Sequence, residues 1–434
     1  MIAGNTVLGS EPISTSHWSQ LTPTLQRFAT LDAQLECDVA VIGGGYTGLL
    51  SAVTLAAAGR RVVLVEAEQP GWGASGRNAG QIIPMAWGGH KTAGFITSKQ
   101  GAERARRLNT AVAAAGRTLF DLIDEHQIQC DAHTGYVCVT RTDKTWQKWR
   151  QRFSEWREFG GRFEVLDRNA LQQYVASPRY AGGFFLPDGG WLNPLAFVQG
   201  LANAVVRSGG QVFGNSRATA VAKDGGAWRV EAGRGSIRCQ TVLVGCGAYS
   251  DGLFPILRKI GIPIACGVAV TDPLSDGGKA IFPTGTPMAD LDDPAVFSPA
   301  LDANGSLVVS YLIGARRPTL TNAETVVGRR LQKAFPGASL PPIRHIWAGR
   351  FLVSPDGMPA LWRLDENIYA ATGCNGLGHT LGAHAALEMA RLAMGVAAEE
   401  ITLSVQTPRP TPGAGVLPAV MRRVMFPLMN RVGA

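Results

Sequence analysis

One stretch restricts this chain more than any other. Cys37-Asp38-Val39-Ala40-Val41-Ile42 is a short apolar run rich in β-branched residues, and it ends on the glycines of GGGYTG, Gly43 to Gly48. Such a run reads as a buried parallel strand. Leu49, Leu50, Val53, Thr54 and Ala57 then recur at helical spacing, and Gly59 supplies the stop. Arg61 to Val65 reads as a second buried strand and runs into Glu66, 18 positions after Gly48. Strand, glycines, helix, strand and terminal acid in register form a βαβ unit of the dinucleotide-binding kind. Gly43 permits the tight turn, Gly45 lets backbone amides approach a pyrophosphate, and Gly48 lets helix and strand pack closely. Tyr46 and Thr47 open the helix, whose N-terminal partial positive charge faces the phosphates. Glu66 accepts hydrogen bonds from ribose hydroxyls, and its charge disfavours the 2′-phosphate of NADP.

A length of 434 residues allows two large domains or up to four. Charged residues are only 17% of the chain, and there are 53 Gly and 25 Pro. That composition excludes a disordered chain, a collagen-like fibre and a coiled coil; an ordered protein uses so much glycine where backbone bends sharply or approaches a ligand. The net charge is +8, with basic residues scattered apart from pairs such as Arg60–Arg61, Arg316–Arg317 and Arg422–Arg423. No basic stripe interleaves with aromatics, so no nucleic-acid partner is expected. Seven Cys lie far apart with no CxxC, and the seven His form no HExxH, so no metal is expected and the thiols read as reduced. Residues 1–36 lack a basic start followed by an apolar block, which leaves a cytoplasmic location as the expectation. Val39 to Gly59 holds 21 residues without a charge, but its glycines suit a core element better than a membrane span.

Gln69 to Gln81, QPGWGASGRNAGQ, is a loop of the kind that wraps a large ligand. With VIGGGYTG, VVLVEA and GWGASGRNAGQ in this order, the chain resembles the D-amino-acid-oxidase-like family of FAD-dependent oxidoreductases. That group includes glycine and sarcosine oxidases and the γ-glutamylputrescine oxidoreductase type. GGFFLPDGG (Gly182 to Gly190), QTVLVGCGAYS (Gln240 to Ser250), WAGRFLVSPDGMP (Trp347 to Pro359) and IYAATGCNGLGHTLG (Ile368 to Gly382) fit the same pattern, so the resemblance covers about residues 36 to 395.

The resemblance implies an α/β fold: a Rossmann-like FAD-binding domain with a second α+β substrate domain of mixed, largely antiparallel sheet. The FAD-binding domain is expected from 36–90, 182–255 and 341–400, and the substrate domain from 91–181 and 256–340, with an N-terminal extension over 1–35 and a tail over 401–434. Helices are expected near 102–123 and 146–159 with solvated charges, and strands at 264–271, 295–298 and 307–313.

FAD, held non-covalently rather than through Cys374, is expected to contact Gly43, Gly45, Tyr46, Thr47, Gly48, Glu66 and Ala67. It would also meet Gly73, Ala74, Ser75, Arg77, Asn78, Ala79, Gly80 and Gln81 in the loop. Further contacts are expected from Val221 and Gly247, and from Gly373, Asn375, Gly376, Leu377, Gly378 and Thr380. Tyr311, Arg350 and His379 are the candidate catalytic residues, and Trp87 and His90 weaker candidates for the substrate pocket. The implied reaction oxidises a C–N bond of a primary or secondary amine, or amino acid, to an imine. Its electrons pass to oxygen or another acceptor. Ser306 to Tyr311 carries no Lys of the sort sarcosine-oxidase-like members place near the flavin for oxygen activation, which keeps a membrane quinone as the alternative. The tail from Val416, with Arg422, Arg423 and Arg431, reads as a docked segment broken at Pro427, or as a weak peripheral membrane anchor.

Overall fold

The computed structural model describes residues 12–13, 16–84, 93–250, 252–295, 297–314 and 319–433. Strand Gln34–Ile42, helix Tyr46–Ala57 and strand Val62–Val65 form the expected βαβ unit, and the two strands pair in parallel from Val39–Val62 to Ile42–Val65. The first strand starts at Gln34 rather than Cys37, because Gln34 to Cys37 find partners in Ser236 to Cys239 of strand Gly235–Val244. A distant partner strand extends it into residues whose polarity gives no local sign of it.

Strands Gln211–Phe213, Val62–Val65, Gln34–Ile42, Gly235–Val244 and Ile368–Thr372 lie side by side and parallel in a nine-stranded sheet. Their C-terminal ends, and hence Gly43, Glu66, Gly245 and Gly373, gather along one edge, where ligands bind in open α/β sheets. Helices Tyr46–Ala57, Pro194–Arg207 and Ala383–Ala393 contribute to the largest apolar cluster on this layer.

Two further sheets complete the molecule. One orders Met288–Asp290, His133–Thr140, Gly182–Trp191 and Gln81–Ile82, with Glu164–Asp167 also on Gly182–Trp191. The other is antiparallel, ordered Pro299–Leu301, Ser306–Leu312, Ile262–Pro273 and Ile343–Val353. They pack together through Val137, Val139, Val309, Tyr311 and Ala348.

Three segments expected in the FAD-binding part lie here instead, the first being Gln81–Ile82, bonded to Gly182–Trp191. Gly182–Trp191 is bonded to His133–Thr140, and its Phe184 and Leu186 pack with Tyr136 and Phe153. The chain returns to the first layer only at helix Pro194–Arg207, capped by Asn193. Ile343–Val353 is an edge strand of the third sheet.

Helices Ala102–Glu125 and Asp143–Arg157 match the two expected. Arg104 and Arg107 are not merely solvated, since they donate to the carbonyls of Ala398 (3.3 Å) and Glu399 (3.0 Å). The third sheet's strand expected at 295–298 forms at Pro299–Leu301.

The tail is helical from Leu417 to Gly433 through a π turn at Met421–Met425. Pro427 does not break it. It sits in the first turn of Phe426–Gly433, and the wider π turn directly before it makes room for its ring. Among the described residues no helix is long and apolar enough to cross a membrane.

Candidate active site

The glycine turn is a backbone cradle. Gly43 has φ +112° and donates its N–H to the Val65 carbonyl at 2.8 Å. A Cβ on Gly48 would overlap the Gly43 carbonyl oxygen, and one on Gly45 would lie 2.9 Å from Ser75 Oγ. Ser75 Oγ accepts the Tyr46 N–H at 3.0 Å. Helix Tyr46–Ala57 has no side-chain cap at Gly45, so with the Tyr46 N–H taken by Ser75 the next amides of its first turn are left for an anion.

Glu66, half-buried at the next strand end and followed by Ala67, accepts the Gly44 N–H at 2.6 Å and the Glu68 N–H at 3.0 Å. Burial pushes its carboxyl above the usual range, against the pull of those two bonds. Gly245 donates to the Ile42 carbonyl at 2.8 Å and brings Gly247, φ +51°, to the same edge. Val221 lies on strand Ala218–Asp224, half-buried against the apolar cluster behind this edge.

The loop from Gly73 to Gln81 is held by three indoles. Trp347, Trp18 and Trp191 donate Nε1–H to three consecutive carbonyls, those of Arg77 (2.7 Å), Asn78 (2.8 Å) and Ala79 (2.9 Å). The Trp18 ring lies 5.8 Å from each of the other two. Gly80, φ +78°, lies so close to Leu192 that a Cβ would overlap its carbonyl oxygen. Arg77 is buried, donates Nε–H to the Trp72 carbonyl at 2.6 Å and covers the Trp72 ring. Ala74 packs close to Gly349. Thr47 follows Tyr46 in the helix's first turn.

Beneath the loop runs a hydrogen-bonded relay. Asn78 Nδ2 donates to Tyr46 Oη at 3.0 Å, Tyr46 Oη lies 2.6 Å from His379 Nε2, and His379 Nδ1 lies 2.9 Å from the Gln81 carbonyl. A carbonyl only accepts, so Nδ1 carries the hydrogen and Nε2 accepts from the tyrosine hydroxyl. Burial lowers His379 to a pKa of about 4 and raises Tyr46 well above the usual phenol. The relay is therefore neutral at neutral pH.

His379 follows Gly378 in a π turn, Gly378–Gly382, that leads into helix Ala383–Ala393. Before it, Asn375 at φ +53° accepts from the Ser354 amide (2.9 Å) and hydroxyl (3.1 Å) and donates to the Gly357 carbonyl (2.9 Å). Gly373 and Gly376 have φ +82° and +88°, and Leu377 donates to the Cys374 carbonyl at 2.8 Å. Thr380 is buried, its Oγ1 without a hydrogen-bond partner among the described residues. It lines an apolar cavity of about 110 Å³ with Leu119 and His384.

The third sheet separates the remaining candidates. Gly267 pairs with Tyr311 and with Ala348, and Ala265 pairs with Arg350. Paired residues share a face, so Tyr311 and Arg350 belong to the face opposite Trp347, Gly349 and Phe351. The Tyr311 ring lies over Gly267 inside the cluster between the two sheets. Arg350, on the edge strand, places its guanidinium 4.5 Å from the Tyr249 ring and donates its amide to Tyr249 Oη at 3.0 Å. The face towards Ala74 and Arg77 presents Cys266, Ser310, Gly349 and Phe351, all half-buried, with Phe351 also nearest to Gly376. Trp87, His90, Arg316 and Arg317 lie outside the described residues.

The family described as FAD dependent oxidoreductase, DAO, matches residues 38–392. The chain belongs to this family. It is 33% identical over 415 residues to a γ-glutamylputrescine oxidoreductase of Escherichia coli K12, covering 94% of this chain and 96% of that one. Among solved structures, L-amino acid deaminase from Proteus vulgaris superposes with a TM-score of 0.70 at 18% identity, covering 91% of this chain and 96% of that one. Glycine oxidase from Geobacillus kaustophilus gives 0.67 at 18% identity, with 83% and 95% covered.

As a DAO-family chain, the protein is an FAD-dependent oxidoreductase acting on amines or amino acids. Its fold is the α/β type read from the sequence. The residues present fit FAD: the Gly43–Gly48 cradle admits no Cβ at Gly48, the helix above it has no side-chain cap at Gly45, and Glu66 directly follows the adjacent strand.

Sequence reading missed Trp18, Trp191, Trp347, Cys266, Ser310 and Phe351. The tryptophans carry no local signal, because three separate segments bring them to one loop. Ser310 and Phe351 alternate with Tyr311 and Arg350, and Cys266 lies between the strand partners of those two, so only the register separates the sets.

The neutral relay has a pH signature. Unfolded histidine titrates near 6.5, so between that pH and about 4 the unfolded chain binds a proton that folded His379 refuses. Stability is thus full above about 6.5 and falls as pH drops towards 4, by about 2 kcal/mol between pH 7 and about pH 5 for this one group. His379→Asn should remove most of that increment in denaturant titrations at the two pH values. Equal losses in the two chains would mean that His379 is not held neutral.

Proposed function

We propose that the chain oxidises the C–N single bond of an unprotonated primary or secondary amine, or amino acid, to an imine that water hydrolyses. The carbon loses a hydrogen with its bonding electron pair and the nitrogen loses a proton; FAD, when bound, supplies the two-electron acceptor. The observation that carries this reading is the neutrality of the relay beside the loop: Asn78, Tyr46, His379 and the Gln81 carbonyl hold no ionised base. Such a site favours a reaction limited by placement over one that needs a strong base. Cys266, Ser310 and Phe351 are the side chains that would border the amine, and Tyr311 is assigned to packing. Arg350, on the opposite face with its guanidinium on the Tyr249 ring, is assigned to holding that tyrosine and not to the substrate. Cys374 is half-buried with its thiol pushed up by burial, which supports a non-covalent cofactor. A quinone acceptor in place of oxygen is the second reading, favoured by the Lys-free strand Ser306–Leu312.

The test is an anaerobic panel of amines and amino acids, γ-glutamylputrescine first, added to the yellow protein while flavin bleaching is followed. Bleaching by an amine is expected, and repetition in air with peroxide detection separates oxygen from other acceptors. A flavin that no amine or amino acid bleaches would defeat the proposal.

A further inference from the structure

The tail helix has two apolar faces, and among the described residues only one is covered. Inward, Phe426 is 2% exposed and packs with Ile262, Ile264 and Phe351, while Asn430 Nδ2 donates to the Leu312 carbonyl at 2.9 Å. Outward, Val416, Val420, Val424, Leu428 and Val432 follow one another at four-residue steps and are 42 to 66% exposed. In a regular α-helix such a series drifts by about 40° per step and winds nearly half-way round. The π turn at Met421–Met425 takes up that drift midway and keeps the five side chains in one outward stripe. At about 1.5 Å per residue the stripe is roughly 25 Å long. A soluble surface rarely carries a continuous row of this kind without a use for it.

Charge selects the occupant. From Ile401 to Ala434 there is no Asp or Glu, and there are four Arg. Arg423 and Arg431 are exposed within the outward face, and exposed Lys259 adjoins the start of the tail, where its carbonyl accepts the Thr411 amide at 2.7 Å. A second copy of the chain pairing stripe to stripe would set arginine against arginine with no carboxylate on either helix. An anionic lipid surface accepts both the apolar row and the arginines.

We propose that the outward face of helix Leu417–Gly433 docks this enzyme on anionic membrane surfaces. Val420, Val424 and Leu428 enter the interface between headgroups and acyl chains, and Arg423 and Arg431 meet lipid phosphates. The inward face covers the end of the third sheet at Phe351, next to Gly349 and Gly376. Docking therefore turns the side of the molecule that carries the candidate active site towards the bilayer. The proposal is independent of which amine is oxidised.

The test is flotation of the flavin-loaded full chain with phosphatidylcholine vesicles, with and without phosphatidylglycerol, at low and high salt. Recovery with the anionic vesicles at low salt and little with phosphatidylcholine alone is expected. R423Q/R431Q should weaken partitioning by about thirtyfold, the effect of two near-surface charges. V424S/L428S should abolish it. Both variants alter only exposed side chains, so flavin content and melting midpoint should match the parent. No recovery of the parent chain with anionic vesicles would overturn the proposal, as would equal recovery of parent and both variants. So would light scattering that shows a dimer in lipid-free solution made monomeric by V424S/L428S, since the stripe would then join two copies.

Discussion

Gly48→Ala should yield a chain that purifies without flavin. A Cβ there overlaps the Gly43 carbonyl oxygen and comes within 3.3 Å of Val41 Cγ1. Neither obstacle is the tip of a flexible side chain. Gly43 is fixed at φ +112° with its amide on Val65, and the Gly245 backbone closes the turn from the other side. Relief requires helix Tyr46–Ala57 to lift from the strand, at a cost of about 3 kcal/mol, the upper end for overpacking. The lift also carries the helix's first amides away from the phosphates they are placed to meet, so FAD affinity should fall by at least roughly a hundredfold, as about 3 kcal/mol implies. Gly59→Ala is the matched control. Gly59 is at φ +79° with nothing within 4 Å of its missing Cβ, so alanine there costs about 1 kcal/mol of backbone strain and should leave the flavin in place. Flavin absorbance per chain, read on both variants, makes the comparison. A Gly48→Ala protein with a full complement of flavin would show that the cradle does not hold the cofactor.

The same contrast explains what was legible in the sequence. The βαβ unit announces itself because its pattern, its glycines and its acid lie within about 30 consecutive residues and act on each other locally. The third sheet was legible as strands but not as a surface. A strand's two faces differ by one residue, so naming Tyr311 instead of Ser310 moves the choice through the sheet from the loop side to the inter-sheet core. Gly182–Trp191 misled for a related reason: its glycines resemble cofactor-loop glycines, yet Gly183 and Gly190 are there because the neighbouring strand His133–Thr140 presses on them. A Cβ on Gly190 would overlap the His133 carbonyl. His379 was placed near the site by sequence, but its Tyr46 partner is 333 positions away, and only the fold shows it to be a buried acceptor.

Trp18 is the furthest case from sequence legibility, and its removal should be felt at the cofactor loop. The side chain is fully buried in a cluster with Ala79, Trp191 and Trp347. The segment bearing it is held by His17, whose Nε2 lies 2.6 Å from the buried Asp302 carboxylate in the third sheet's turn. Trp18→Ala empties a large core volume and leaves the Asn78 carbonyl without its donor, for an expected loss of about 3–5 kcal/mol. Trp18→Phe keeps most of the packing and loses only the N–H, for about 1–2 kcal/mol. Because Asn78 also donates to Tyr46, slackening its carbonyl side should loosen the loop before the rest of the fold gives way. On heating, flavin fluorescence should therefore rise ahead of the loss of helical ellipticity in both variants, with a wider gap in Trp18→Ala. In the parent chain the two transitions should lie closer together. If release and unfolding coincide in all three proteins, Trp18 stabilises the fold as a whole and does not act through the loop.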